Sequence, residues 1–329
     1  MKKLYILLLV NLFIFNTNAQ SCLPDGITFE DQESVNNFQI NYPNCTKIDG
    51  RVIISGDNVQ NLDGLIALNS IGGYLTIGFT RSLTNIEGLG NITSLGGSLK
   101  IENTYALQNL TGFNNLTSIG GSLTIQYNDV LTSLTGIEGL TSVGGNLTIG
   151  YNKVLTNLTA MKELKTIDGN LSINNNVKLT SITGIANIDN TTISTLYIIY
   201  NSILSTCEVQ SICNYIAGEV VAANIFHNAE GCNSPQQVQE ACQSSVGESN
   251  INNSFSITLN PSCDKIIITS LNFTSNFNLS IFNISGQKMF EKKLTNQETE
   301  INIGNIPRGI YIVRIQTGNA IMTKKVIKP

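Results

Sequence analysis

Apolar residues return in fixed columns through the middle of this chain. From Ile71 it reads IGGYLTIGFTRSLTNIEGLGNITS, and successive blocks open at Ile71, Leu95, Ile119, Val143 and Ile167, a period of 24 residues. One column is Leu75, Leu99, Leu123, Leu147 and Leu171; two residues on comes Ile77, Ile101, Ile125, Ile149 and Ile173. Such alternation predicts a short strand with one buried face. Between the two columns, Thr76, Lys100, Thr124, Thr148 and Ser172 are expected to point outward as a ladder. Later apolar columns, beginning at Leu83, Ile86, Leu89 and Ile92, are spaced by three. That spacing suits a chain bending round a coil, with one inward side chain per short segment. A fixed period in this range predicts a solenoid, in which each unit buries its apolar face only by stacking on its neighbours.

Two polar columns add to the picture. The paired glycines at 72–73, 96–97, 120–121 and 144–145 mark a corner that needs either positive φ or close backbone approach. Asn128, Asn152 and Asn176 recur after the strand, with Thr80 and Thr104 in the same place earlier. An exposed turn would accept such residues. The preferred reading is a buried ladder that satisfies backbone groups of the adjacent coil.

The flanks divide the rest of the chain. Residues 1–20 read as a secretory signal peptide, with Lys2 and Lys3 before an apolar run too short for a membrane span. The surroundings of Cys22 make a poor lipidation site, so cleavage is expected near Ala19 or Gln20. All seven cysteines follow this segment, so most should pair. Residues 21–47 form an N-terminal cap closed by Cys22–Cys45, because a solenoid end exposes strand edges that must be covered. Residues 48–204 hold seven coils, the last divergent but keeping Leu196, Ile198 and Asn201. Residues 205–242 read as a C-terminal helical cap, with Ser205 and Glu208 as a capping box for one helix, residues 220–226 as a strand and Ser234 capping a second helix. Its four cysteines allow three pairings, of which Cys207–Cys232 with Cys213–Cys242 is favoured. Residues 243–253 read as a polar linker. In residues 254–329 the period gives way to alternating strands separated by turns, the pattern of a small antiparallel β-sandwich.

The repeat L-x-I-x-x-N-x-x-L-x-x-L-x-G-L-x-x-L resembles a leucine-rich repeat and, more closely, the receptor L-domain family of ligand-binding lobes. That resemblance spans residues 22–242 and implies a mainly β solenoid and a cysteine pair just before the first coil. It says little about the ligand, since one fold hosts many functions. The last segment resembles the type A C-terminal sorting domain of type IX secretion cargo. The matching residues are Asn260 and Pro261, Gly286 in the segment 284–288, Gly309 with Tyr311 and Arg314, and Lys324 and Lys325 near the end. The resemblance implies contact with the type IX secretion machinery and passage through the outer membrane of a Gram-negative bacterium. The final location would be the cell surface or the medium. Cys263 departs from that pattern and leaves the cysteine count odd.

Charge follows the same boundary. Residues 21–253 hold 8 Lys/Arg and 19 Asp/Glu, a net −11, whereas residues 254–329 hold 9 and 4, a net +5. An acidic solenoid argues against nucleic acid as a partner. Catalytic motifs are missing: there is no HExxH, no GxSxG and no phosphate loop, and His227 is the sole histidine. No catalytic residue, cofactor or metal is therefore expected, and no transmembrane segment in the mature chain. The expected function is non-enzymatic binding or adhesion to an extracellular polysaccharide or protein. The contact face would be Thr76, Lys100, Thr124, Gln126, Tyr127, Thr148, Tyr151 and Ser172, with hydrogen-bonding and stacking groups on a flat surface. A structural surface protein is the alternative, and a carbohydrate-active enzyme the more remote one.

Overall fold

The computed structural model describes residues 20–218, 223–245, 255–260, 265–270, 277–294, 296, 298–317 and 320–328. Residues 1–19 of the expected signal peptide, residues 246–253 of the expected linker, Pro261 and Cys263 lie outside them. The chain divides into two compact units, Met1–Pro235 and Gln236–Pro329.

The first unit is a parallel β-solenoid. Its long sheet contains strands Ile27–Phe29, Val52–Ile54, Leu75–Thr80, Leu99–Thr104, Leu123–Gln126, Leu147–Gly150, Gly169–Asn174, Ile193–Ile199 and Ala223–Phe226, stacked in chain order. The register repeats the period: Leu75 pairs Leu99, Leu99 pairs Leu123, Leu123 pairs Leu147 and Leu147 pairs Leu171. A second sheet of short strands, from Gln20–Cys22 to Thr166–Ile167, lines another side of the coil. Between the sheets the chain makes 3-10 turns such as Glu87–Leu89 and Thr159–Met161. Each apolar column points inward: Leu75, Ile77, Leu83, Ile86, Leu89 and Ile92 are all fully buried. Truncating any one of them to alanine would cost about 2–5 kcal/mol.

The structure settles the two polar columns. The paired glycines do not use positive φ; they are needed for close approach. A Cβ on Gly96 would run into the carbonyl oxygen of Gly72, and one on Gly120 into that of Gly96. The asparagines form a buried line along the stack. Asn128 donates from Nδ2 to the Ile101 carbonyl at 3.0 Å and to Asn152 Oδ1 at 3.2 Å. The Asn128 backbone N–H donates to the same Oδ1 at 3.2 Å. Asn152, Asn176 and Asn201 repeat the arrangement as far as Asn228. At the other end the Thr104 hydroxyl donates to Asn128 Oδ1 at 2.7 Å, whereas the buried Thr80 hydroxyl has no partner.

The ends differ from the sequence reading. The N-terminal cap contributes a rung of its own, since Ile27–Phe29 pairs in parallel with Val52–Ile54. Two short helices, Gln32–Asn36 and Phe38–Asn41, follow it and bury Val35 and Phe38, with Phe38 edge-on to Phe29. At the other end Ala223–Phe226 is the last strand of the long sheet, and Asn228 continues the ladder. The stack therefore runs through both caps, because covering a strand edge with one more strand satisfies the same backbone groups. Helix Gln210–Ile216 starts at Val209 without a side-chain cap, so Ser205 and Glu208 form no capping box there. The Ser211 hydroxyl instead donates to the Ile185 carbonyl at 2.7 Å. Disulfides join Cys22 to Cys45 and Cys207 to Cys232, with Cα separations of 5.7 and 5.4 Å, and Cys213 and Cys242 are also disulfide-bonded. Helix Pro235–Ser245 begins at its proline and extends past residue 242 into the segment expected to be linker.

In the second unit, two antiparallel sheets enclose one core. One contains Phe255–Asn260, Lys265–Ser270 and Glu298–Asn302; the other has the order Lys288–Leu294, Phe277–Asn283, Gly309–Thr317, Ala320–Lys328. Ile266, Leu279, Ile281, Leu294, Val313 and Ile315 are among its most deeply buried residues.

The ladder should be costly to break. Asn152→Leu leaves the buried Asn128 amide without its acceptor and should destabilise the solenoid by about 2–4 kcal/mol in chemical denaturation. Thr104→Val should cost about 1 kcal/mol for its lost hydrogen bond, while Thr80→Val should be neutral or stabilising. Equal effects of the two threonine variants would contradict the hydrogen-bond assignment.

Candidate functional site

The ladder dictates what the outer surface looks like. For each ladder residue to turn inward, the residue before it must reverse the chain. That residue takes the left-handed conformation in seven successive coils: Phe79, Asn103, Tyr127, Tyr151, Asn175, Tyr200 and His227, with φ between 51° and 58°. The conformation costs an ordinary L-residue about 1–2 kcal/mol, and asparagine tolerates it best. Yet five of the seven positions hold aromatic rings. These rings point out of the coil: Phe79 is 60% exposed, Tyr127 41%, Tyr151 42% and Tyr200 46%. Stacking orders them, with Tyr127 and Tyr151 face to face at 4.5 Å between centroids and Tyr200 and His227 at 4.6 Å.

Beside this column lies a second, two residues on. Tyr105, Asp129, Lys153 and Val177 join Asn103, Tyr127, Tyr151 and Asn175 around an open groove of about 520 Å³. The charges in the groove cancel, since Lys153 Nζ sits 2.7 Å from Asp129 Oδ2. Next to it, Arg81 pairs with Asp57 at 3.3 Å and lies over the Tyr105 ring at 6.0 Å.

The eight residues expected on one face fall into three groups. Thr76, Lys100, Thr124, Thr148 and Ser172 occupy a single register row of the long sheet and are half-buried by their neighbours. Gln126 stands in the next row, where its amide donates to Glu102 at 3.3 Å. Lys100 is held by Glu102 at 2.6 Å, so its ammonium is already partnered. Tyr127 and Tyr151 are not on this flat face but at the corner bordering it, in the groove. Sequence reasoning passed over Asn175 and Tyr200 and took His227 for a surface or packing residue. Their signal was position, one residue before a ladder asparagine, rather than residue type.

Residues 44–135 match the receptor L domain, and residues 260–329 match the secretion system C-terminal sorting domain. The receptor L match covers the first coils. Those after residue 135 keep the same register and ladder, so the same architecture continues to Asn228. No curated protein matches the chain. Neither family is catalytic. The sorting domain implies secretion by the type IX system, and no helix among the described residues is long and apolar enough to cross a membrane.

Within the sorting domain the motif residues do different things. Asn260 ends the first strand opposite Lys265. Gly286 takes φ +79° in the hairpin turn after Asn283, whose carboxamide accepts from the Ser285 and Gln287 amides. Gly309 opens the strand that contains Tyr311, and the Tyr311 hydroxyl donates to the Pro307 carbonyl at 2.6 Å. Lys324 donates to the Ile257 carbonyl at 2.8 Å, while Lys325 is exposed. Buried Lys328 donates to the carbonyls of Ile303 and Ile306, each at 2.8 Å.

The strained corner gives a direct test. Phe79 is exposed and lacks the ring stacking of its neighbours further along. Phe79→Asn should therefore raise stability by up to about 1 kcal/mol, read as an upward shift in the unfolding midpoint. Tyr151→Asn relieves the same strain but gives up a stack of about 0.5–1.5 kcal/mol, so it should change stability little.

Proposed function

We propose that this chain is an exported, non-enzymatic binding protein that meets an extracellular glycan or protein ligand with the corner column and groove of its solenoid. The observation that carries the reading is the placement of exposed aromatic rings at backbone positions where they cost stability. A purely structural corner is served better by asparagine or glycine, so rings kept there point to a use outside the fold. The flat face beside the column takes a supporting part, since Lys100 is engaged with Glu102 and the threonine row is half-buried.

Delivery follows from the two ends. The N-terminal segment directs export across the inner membrane, and the sorting domain then engages the type IX machinery through its exposed motif residues, Lys325 among them. The mature solenoid works at the cell surface or in the medium. Its net −11 charge disfavours nucleic acid as the ligand.

The test is binding of the full, disulfide-intact chain to immobilised polysaccharides and matrix proteins. Saturable binding should weaken about tenfold, some 1.4 kcal/mol, in Tyr127→Ala/Tyr151→Ala and change little in Lys100→Ala. A folded protein that binds neither class would be a structural surface protein. For delivery, removing residues 260–329 should leave the chain in the periplasm of a type IX-competent host, measured by fractionation.

A further inference from the structure

The aromatic column is interrupted, and the interruption has a shape. Tyr127 and Tyr151 form one two-ring stack, and Tyr200 and His227 form another. Asn175 alone separates them, in the same left-handed conformation but with a short side chain. Its carboxamide turns toward Asn174, with Nδ2 3.3 Å from Asn174 Oδ1. Tyr151 and Tyr200 are therefore two coils apart, about 10 Å at about 4.8 Å per coil, with their ring faces turned toward the gap. The floor is Asn175, and exposed Val177 lies to one side.

We infer that this gap is a sandwich site for one pyranose ring of a neutral, linear polysaccharide, which then runs along the solenoid axis over the groove. The inference rests on the binding function proposed above and names its ligand class. Three features select the guest. The first is width. A flat aromatic guest at about 3.5 Å from each ring would need only some 7 Å, whereas a puckered sugar with axial C–H groups on both faces fills more of the space. The second is charge. The column holds no carboxylate or ammonium, and the charges of the groove cancel through Lys153 and Asp129, which complements an uncharged polymer. The solenoid's net −11 opposes an acidic one. The third is polarity. Asn103 and Asn175 line the groove together with Tyr127 and Tyr151, supplying amide donors and acceptors for hydroxyl groups around an apolar contact. A polymer also suits the repeat, because each coil offers its next unit a similar set of groups.

The column itself supplies a test that spares the fold. Asn175→Tyr puts in the gap a residue that the same corner already accommodates at Tyr127, Tyr151 and Tyr200, and so should fill the slot without unfolding the coil. Binding of neutral β-linked gluco-, xylo- and manno-hexaoses to the full chain would be measured by calorimetry, with polygalacturonate and gelatin as acidic and protein comparators. The chain has no tryptophan, so quenching or enhancement of tyrosine emission reports ring contact. The expected result is binding of at least one neutral hexaose, weakened at least tenfold by Asn175→Tyr and by Tyr200→Ala. Lys162→Ala, an exposed position at the end of the Thr159–Met161 turn and outside the column and groove, should bind as the parent does. Undiminished binding by a folded Asn175→Tyr protein would overturn the slot; if that binding were still lost in Tyr127→Ala/Tyr151→Ala, the wider binding function would stand. Binding of polygalacturonate or gelatin alone would overturn the neutral-glycan assignment while leaving a binding protein, and binding of nothing would overturn both.

Discussion

The buried hydrogen-bonded line through Asn128, Asn152, Asn176, Asn201 and Asn228 is the constraint on which the rest of the solenoid depends. A coil that turns after every strand exposes backbone amides in its interior, where no water reaches them. Each asparagine answers this by accepting from the preceding coil's backbone and donating to a strand carbonyl. Because every member is both donor and acceptor, the line is cooperative, and its loss at one place leaves its neighbours unsatisfied. The inward turn of each asparagine then demands a left-handed residue before it. That residue's side chain has only the outside to occupy. The exposed column of Phe79, Tyr127, Tyr151, Tyr200 and His227 is thus the outer consequence of an inner hydrogen-bonding problem.

The caps solve a related problem by related means. An end coil would present bare strand edges, and here each end adds a further strand in the same parallel register. Small helices then cover the apolar columns that those strands leave open, and disulfides hold the covering segments in place. The sorting domain is built on different principles. Its antiparallel sheets close on their own core, and Lys328 gathers two carbonyls at 2.8 Å, so part of the basic C-terminal motif serves to finish this fold.

Much of this was legible in the chain. The 24-residue period, the inward columns and the change to antiparallel strands near residue 254 are local patterns, and the structure reproduces them with the register expected. The asparagine line was readable too, because a polar residue recurring in phase with buried leucines needs a partner one period away. Other features were not. Residues 220–226 read as a strand, but one inside the cap, since the insertion between Ile199 and Ala223 destroys the period that would have marked Phe226 and Asn228 as one more coil. The paired glycines left two explanations open, and only the contact between Gly96 and the Gly72 carbonyl decides for close packing.

By itself, the sequence determined the architecture and the division into an acidic repeat and a basic tail. Periodic burial and charge composition are properties of residue order alone. It also placed Tyr127 and Tyr151 on the surface. The tertiary structure decided which surface residues act together. It drew Lys100 into an ion pair with Glu102, moved the two tyrosines off the flat face into a groove, and joined them in a column with Asn175, Tyr200 and His227. The Lys100–Glu102 pair lies within one strand, whereas the contacts of the column join residues one coil apart, set by backbone φ and by the rise between coils. They exist only once the coils have stacked.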